Sequence, residues 1–297
     1  MLTQKTKESL SVAGLIYCAL LLGTHYVITK QLTQTTDAVV LTGYRFLIAA
    51  IPLFVYLLFI RKNPFKKMKP GLILGFFLGL AFISIAEGVR YTSASNAGFI
   101  SGIFIIFVPI FSFLFFRKKS KLYYLWVLAL SLLGFYFLTG QMHDITVGDL
   151  LILASAIFTA AHLVLMGHYA KQDLDARVLC FQQFFVVFVL SFAFALVTHT
   201  SMAAPTDQVA PLLFLGLAAT LSVFFVQMIS LRYASEITAA LTLAIRPVFA
   251  AIFAVAWAGE SITVLQMIGG SLLIGAMVVG QFLPGFFRKH HLQEDIA

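Results

Sequence analysis

VRYTS, residues 89–93, returns as LRYAS, residues 231–235. Each stretch stands between two long apolar runs, and the pair is not isolated. Thr24-His25-Tyr26-Val27 is echoed by Ala161-His162-Leu163-Val164, and Tyr44-Arg45-Phe46 by Phe181-Gln182-Gln183 at the same offset. The neighbourhoods of Gly134 and Gly275 align at nearly that offset. The chain therefore divides into two related units, 1–143 and 144–297.

Each unit holds five apolar runs of about 20 residues, the length a helix needs to cross the hydrocarbon core. They fall at 10–29, 38–60, 70–91, 93–116 and 122–140, then at 147–169, 177–199, 210–231, 236–258 and 262–284. Breakers stand between them: Asn63-Pro64, Lys69-Pro70-Gly71, Pro205 and Gly259. Backbone polar groups in lipid must pair within their own segment, which makes the helix the spanning form. Five is odd, so the second unit enters the membrane from the other side. The expected fold class is all-α: a polytopic membrane protein of ten transmembrane helices, arranged as an inverted 5+5 repeat like those of secondary transporters.

Composition agrees. Hydrophobic residues make up 61% and charged residues 11%, with a mean hydropathy of +0.97; a soluble domain carries about 25% charged residues. Such a chain cannot cover a water-facing surface. Its net charge of +8 is assigned to the excess of Lys and Arg in cytoplasmic loops, and nucleic acid is not expected as a partner. Lys5, Lys7, Arg61, Lys62, Lys66, Lys67, Lys69, Arg117, Lys118, Lys119, Lys121, Lys171, Arg177, Arg232, Arg288 and Lys289 fall on one side, and Lys30 and Arg90 on the other. The bias predicts an inner-membrane protein with both termini cytoplasmic. Cys18 and Cys180 lie within apolar runs and predict no disulfide. The first run is too long for a signal-peptide core and is kept as a span.

Several stretches carry a family resemblance. Gly23-Thr24-His25-Tyr26-Val27-Ile28-Thr29-Lys30, Arg45-Phe46, Arg90-Tyr91-Thr92-Ser93-Ala94-Ser95-Asn96-Ala97, Arg246-Pro247-Val248-Phe249 and Gly259-Glu260 resemble the EamA type of the drug/metabolite transporter superfamily. The resemblance covers nearly the whole chain. It implies ten spans, a five-plus-five repeat, a central cavity and passage of small metabolites. The chain departs from the pattern at His25, where a small polar residue is usual, at Ile105, where proline is frequent, and at Lys118-Lys119, in place of a first Gly-Glu.

Ionisable residues at membrane depth cost about 2.5–3.5 kcal/mol each on insertion scales, so the few present should face protein or water. Arg246 stands mid-span beside Pro247, a helix breaker. Its guanidinium suits a carboxylate or phosphate, or else clamps loose carbonyls. Glu87, near the outer end of the third span, is open to pairing with Arg45 at similar depth, to binding a substrate ammonium, or to carrying a proton. His25 and His162 are expected at related points on opposite sides of one cavity, as substrate ligands or proton carriers. Gln182, Gln183 and Gln227 extend the polar surface, and Asn96 caps the fourth span or lines the mouth. Tyr26, Tyr44 and Trp257 are the candidates for an aromatic cage. Pro109 and Pro247, in corresponding spans, are candidate hinges. His143, His199, His290 and His291 read as solvated loop or tail residues. The spacing of His162 and His168 is not that of a metal pair, and neither a metal nor a cofactor is expected. Gly71, Gly75 and Gly79 suit close helix packing within a monomer or in a homodimer.

These features predict a carrier that moves a small polar metabolite by alternating access. An amino acid is the representative substrate, with Arg246 on the carboxylate, Glu87 on the amine and protons as a candidate coupling ion. The alternative is a cationic substrate such as choline or an amine. An intramembrane enzyme would need a nucleophile–base or metal motif, and neither H-E-x-x-H nor G-x-S-x-G is present.

Overall fold

Asp37 ends the turn between the first two helices and begins the second, and Asp175 does the same in the second unit. Each accepts backbone N–H bonds at a helix start, Asp37 from Val39 and Val40 and Asp175 from Arg177. Such caps satisfy donors that a helix cannot pair internally. Between caps the apolar runs leave the backbone no partner but itself.

The computed structural model describes residues 3–118, 123–138, 146–203, 208–259, 261 and 263–294. Lys119, Lys121, His143, Pro205, Glu260 and the junction between the two units lie outside the described residues, as do the side chains of His290 and His291. The helices are α1 (Gln4–Leu32), α2 (Ala38–Phe59), α3 (Met68–Gly88), α4a (Ala94–Gly102), α4b (Phe104–Phe116) and α5 (Tyr123–Leu138). The second unit gives α6 (Val147–Ala170), α7 (Ala176–Val197), α8 (Val209–Ser230), α9a (Glu236–Leu243), α9b (Arg246–Ala258) and α10 (Val264–Glu294). Eight spans are long and apolar enough to cross a bilayer, and Leu125–Phe137 and Val264–Gly280 are shorter apolar helices. The chain is an all-helical, multi-pass membrane protein.

The fourth and ninth spans, each expected as one run hinged at Pro109 or Pro247, are broken ahead of those prolines. Ser93 caps α4a by accepting from Asn96 N at 3.0 Å, and Ser235 caps α9a by accepting from Thr238 N at 3.0 Å. The breaks follow at Ile103 and at Ala244–Ile245. Both carry a tightened turn, Ile106 N to Ile103 O at 3.0 Å and Val248 N to Ile245 O at 3.0 Å. From Ser93 to Ser235 and from Ile103 to Ile245 the separation is the same. Pro247 stands in the first turn of α9b, where its missing N–H costs nothing. Pro109 lies inside α4b, away from the break in its span.

Packing between the units is reciprocal. Helix α3 lies along α6 as α8 lies along α1, and α2 meets α7 as α5 meets α10. Small residues permit the closest approaches. A Cβ on Gly75 would come within 2.5 Å of Val186 in α7, and one on Gly71 within 2.3 Å of Gln182. Gly71 and Gly75 thus face α7, inside the bundle, with Gly79 on Val187 beside them.

Candidate functional site

Where the two breaks approach each other, α9b begins with Arg246 and α4b with Phe104. The guanidinium carbon of Arg246 lies 4.4 Å from the centre of the Phe104 ring. Arg246 is 6% exposed, and its Nε donates to Leu243 O at 3.2 Å. Its Nη2 is buried without a hydrogen-bond partner. A second guanidinium stands in α2. Arg45, 3% exposed, donates from Nε to Thr220 Oγ1 at 2.6 Å and from Nη2 to Ala219 O at 3.0 Å. Its plane covers Phe82 at 4.5 Å. Thr220 and Ala219 belong to a π-helical stretch, Phe214–Ser222, within α8; such widened turns are frequent at functional sites.

The two histidines are held in matching fashion. His25 Nδ1 faces Arg45 Nη1 at 3.4 Å. The guanidinium can only donate, so Nδ1 accepts and the proton sits on Nε2. His162 Nε2 lies 2.8 Å from Gln183 Oε1, an acceptor, so His162 also carries its proton on Nε2. The difference is which nitrogen is engaged. His25 retains a donor, the Nε2–H, and His162 retains an acceptor, the Nδ1 lone pair. Phe82 and Phe224 stand between them, 5.8 Å apart in a T-shaped contact, with His25 5.9 Å from Phe82 and His162 5.6 Å from Phe224.

His25, His162, Gln227 and Arg246 line one cavity together with Phe82, Phe104 and Phe224. Its volume is about 30 Å³, roughly the share of one liquid water. Among the described residues no carboxylate forms an ion pair with Arg45 or Arg246. On one side of the cavity, Tyr26, wholly buried, hydrogen-bonds through its hydroxyl to Ser101 Oγ. On that side a Cβ on Gly98 would meet Ala250 at 2.5 Å. On the other side, Glu236 at the start of α9a accepts from Lys118 Nζ at 3.0 Å and from Lys171 Nζ at 3.1 Å, and is 6% exposed.

The structure thus brings Arg246, His25, His162 and Gln227 around one space, with Tyr26 beside it. It leaves other expected residues elsewhere. Glu87 pairs with Arg90 at 3.0 Å and accepts from Tyr91 Oη at 3.1 Å; it does not pair with Arg45. Gln182 donates to the carbonyls of Pro64 and Lys66. Tyr44 donates to Met202 O at 2.9 Å. Trp257, 65% exposed, stacks on Phe253, and Asn96 is exposed on the rim. The three proposed cage aromatics therefore do not meet. Residues passed over in the sequence as site members are Arg45, Thr220, Phe82, Phe104 and Phe224, whereas Gln183, expected on the polar surface, meets His162. The signal for Arg45 and Gln183 was their distance of 20 and 21 residues from the paired histidines; for Phe82 and Phe224 nothing distinguished them from other phenylalanines.

Known proteins resemble this chain along its length. The EamA-like transporter family matches twice, over residues 9–140 and 146–280. An uncharacterized transporter of Archaeoglobus fulgidus is 31% identical over 268 residues, covering 90% of this chain and 84% of the relative. The uncharacterized transporter YoaV of Bacillus subtilis is 24% identical over 279 residues, 91% of this chain and 96% of the relative. A solved crystal structure shares the fold with a TM-score of 0.75 at 16% identity, covering 92% of this chain and 97% of the other.

Proposed function

The chain belongs to the EamA-like transporter family, and on that premise we propose that it is a secondary carrier for a small carboxylate-bearing metabolite, of which an amino acid is the representative. One observation carries the reading: a buried guanidinium, Arg246, lines a central cavity and a second, Arg45, stands against His25 in its wall, and among the described residues neither has an ion-paired carboxylate. A buried cation is tolerated when a partner neutralises it, and an anionic substrate supplies that partner. Arg246 Nη2 and the His25 Nε2–H are the donors for its carboxylate. The free His162 nitrogen accepts from an ammonium or hydroxyl at the other end. Glu87 takes no part, which narrows the amine contact to His162.

A cavity of about 30 Å³ is too small for such a substrate, so the helices around it must part for loading. The two units, read as an inverted repeat, provide the motion: each rocks about the broken spans α4 and α9, with Pro247 beside one hinge and Pro109 within the other hinged span. The Lys and Arg bias supports an inner-membrane location with both termini in the cytoplasm. If protons couple transport, His162 is the better-placed carrier, because the Arg45 contact occupies His25 Nδ1 and Glu87 is held at the rim by Arg90. The cationic alternative, choline or an amine, is less well supported, since both central charges are positive and the cage aromatics stand apart.

The test is substrate counterflow in proteoliposomes. Amino acids and other small carboxylates are offered singly, beside choline. The carboxylate reading expects uptake that falls sharply in Arg246→Ala while the variant's thermal unfolding shows it folded. Unchanged carboxylate uptake in that folded variant, or selective uptake of choline, would refute it.

A further inference from the structure

A second recess, of about 460 Å³, opens where α2 turns into α3 and α6 into α7. Its charged lining is Arg61, Lys62, Lys66, Lys67, Asp173 and Asp175. No part of the carrier reading uses it. The recess is built rather than incidental. Gln182, wholly buried in α7, donates from Nε2 to Pro64 O at 3.0 Å and to Lys66 O at 2.8 Å, so the loop is anchored from beneath by its carbonyls. Arg61 and Lys67 both hold left-handed backbone at φ 53, a conformation that costs a non-glycine residue energy and persists where surroundings impose it.

The charges sort into committed and uncommitted. Asp175 Oδ2 accepts from Lys62 Nζ and Arg177 Nη2, and Oδ1 from Arg177 Nε and N. Lys62 is thereby tied to its carboxylate. The side chains of Arg61, Lys66 and Lys67 make no ion pair among the described residues, and Asp173 alone stands against them. The recess therefore has an uncompensated positive side, with carboxylates at its edge. Next to it runs an apolar face: Ile51, Val55, Leu58 and Phe59 recur at helical spacing on α2 and are 51%, 59%, 54% and 85% exposed, and Phe65 in the loop is 44% exposed.

We propose that this recess binds the headgroup of an anionic phospholipid whose phosphodiester is held by Arg61, Lys66 and Lys67 while its acyl chains lie along the exposed face of α2. Basic pockets beside transmembrane helices recognise such headgroups, and guanidinium forks suit phosphate oxygens. Asp173 refines the choice. A carboxylate at the edge repels a multiply charged phosphate but accepts from hydroxyls, so a polyol phosphodiester such as phosphatidylglycerol fits better than a phosphomonoester.

Native mass spectrometry of the full-length, delipidated protein tests this, with phosphatidylglycerol and phosphatidylcholine offered at equal concentration. Wild type is expected to retain phosphatidylglycerol with roughly tenfold preference. The variant R61Q/K66Q/K67Q is expected to lose that preference, while K5Q/K7Q/R117Q, equally reduced in charge outside the recess, keeps it. Equal loss in both variants would mean general surface charge and would overturn the site. Inorganic phosphate and glycerol 3-phosphate form the soluble arm. Thermal protection by either one, without lipid preference, would assign the recess to a soluble anion and overturn the lipid. Thermal unfolding confirms that each variant is folded.

Discussion

In α4 the residue after the N-cap serine is Ala94; in α9 it is Glu236. Ten positions further on, just past the break, α4 continues with Phe104 and α9 with Arg246. Everything between is alike: a serine cap, a short first half-helix, a tightened turn and a second half-helix of 13 residues. The backbone device is thus shared, and the charge is not. At the cavity the unlike residues meet as partners, ring on guanidinium. At the ends they close the protein differently. The Tyr26 side is sealed by small apolar residues in close contact, Ala94 and Ala97 among them. The Glu236 side is sealed by a carboxylate between two half-exposed lysines. Apolar packing must lose its contacts to open, whereas the two half-exposed lysines already reach water and only the buried Glu236 must gain a new partner. That difference predicts that charge controls the opening of the ionic side alone.

The most forceful way to break this comparison is to exchange its halves. Arg246→Phe removes a donor worth about 1.5–3 kcal/mol as a charged hydrogen bond, so uptake should fall roughly tenfold or more. Adding Phe104→Arg returns one guanidinium and one ring to the same contact from the opposite unit. If the charge at the meeting point matters more than its helix of origin, the double variant recovers most of the lost uptake in proteoliposomes. Recovery no better than in Arg246→Phe would mean that α9 places the charge uniquely.

How far the sequence disclosed this arrangement depended on what kind of signal each residue gave. Span lengths are set by lipid thickness and are printed in composition, so the ten helices were legible. The paired histidines were legible because a repeat doubles a rare residue. Helix rotation was not, since a span that is apolar on every side does not mark which side faces protein. That is why Trp257, on an exposed face, passed for a cavity residue. It also explains why Gln182 and Gln183, both candidates, part ways: neighbours on a helix point about 100° apart, so Gln183 meets His162 while Gln182 anchors a loop. The Glu87–Arg90 pair lay open at i,i+3 spacing and was obscured by attention to depth. The break at Ile103 carries no sequence mark of its own, and Pro109 drew the expected hinge away from it, whereas the break at Ala244–Ile245 adjoins Pro247, the proline that marked it.

A milder change sharpens the contrast between the two ends. Glu236→Gln keeps the shape but removes the charge that holds Lys118 and Lys171. With Cys18 and Cys180 replaced, a cysteine at Thr159 in the cavity wall reports access. Its labelling by a membrane-impermeant maleimide from the Glu236 side should rise several-fold over the parent, while labelling from the Tyr26 side stays unchanged. Equal labelling in parent and variant would show that the ion cluster is not what keeps that side shut.

The smallest effect separates the paired caps. Asp37 and Asp175 begin α2 and α7 alike, and losing either cap costs about 1 kcal/mol. Only Asp175 is also bound by Arg177 and Lys62, and Arg177 above all holds its carboxyl well below the usual carboxylate range. A carboxyl depressed in the folded state stabilises the protein above its unfolded pKa, and that contribution fades as pH falls through the acid range. Thermal unfolding in detergent should therefore show Asp175→Asn less stable than wild type at neutral pH, with the gap narrowing as the buffer is brought below about pH 4, near the unfolded carboxylate value. Asp37→Asn serves as the control. It leaves a side-chain oxygen able to cap and removes no ion pair, so its deficit should be smaller than that of Asp175→Asn at neutral pH. A gap for Asp175→Asn that stays constant with pH would mean that its cations contribute nothing beyond the cap, and the two helix starts would then be equivalent in energy as well as in position.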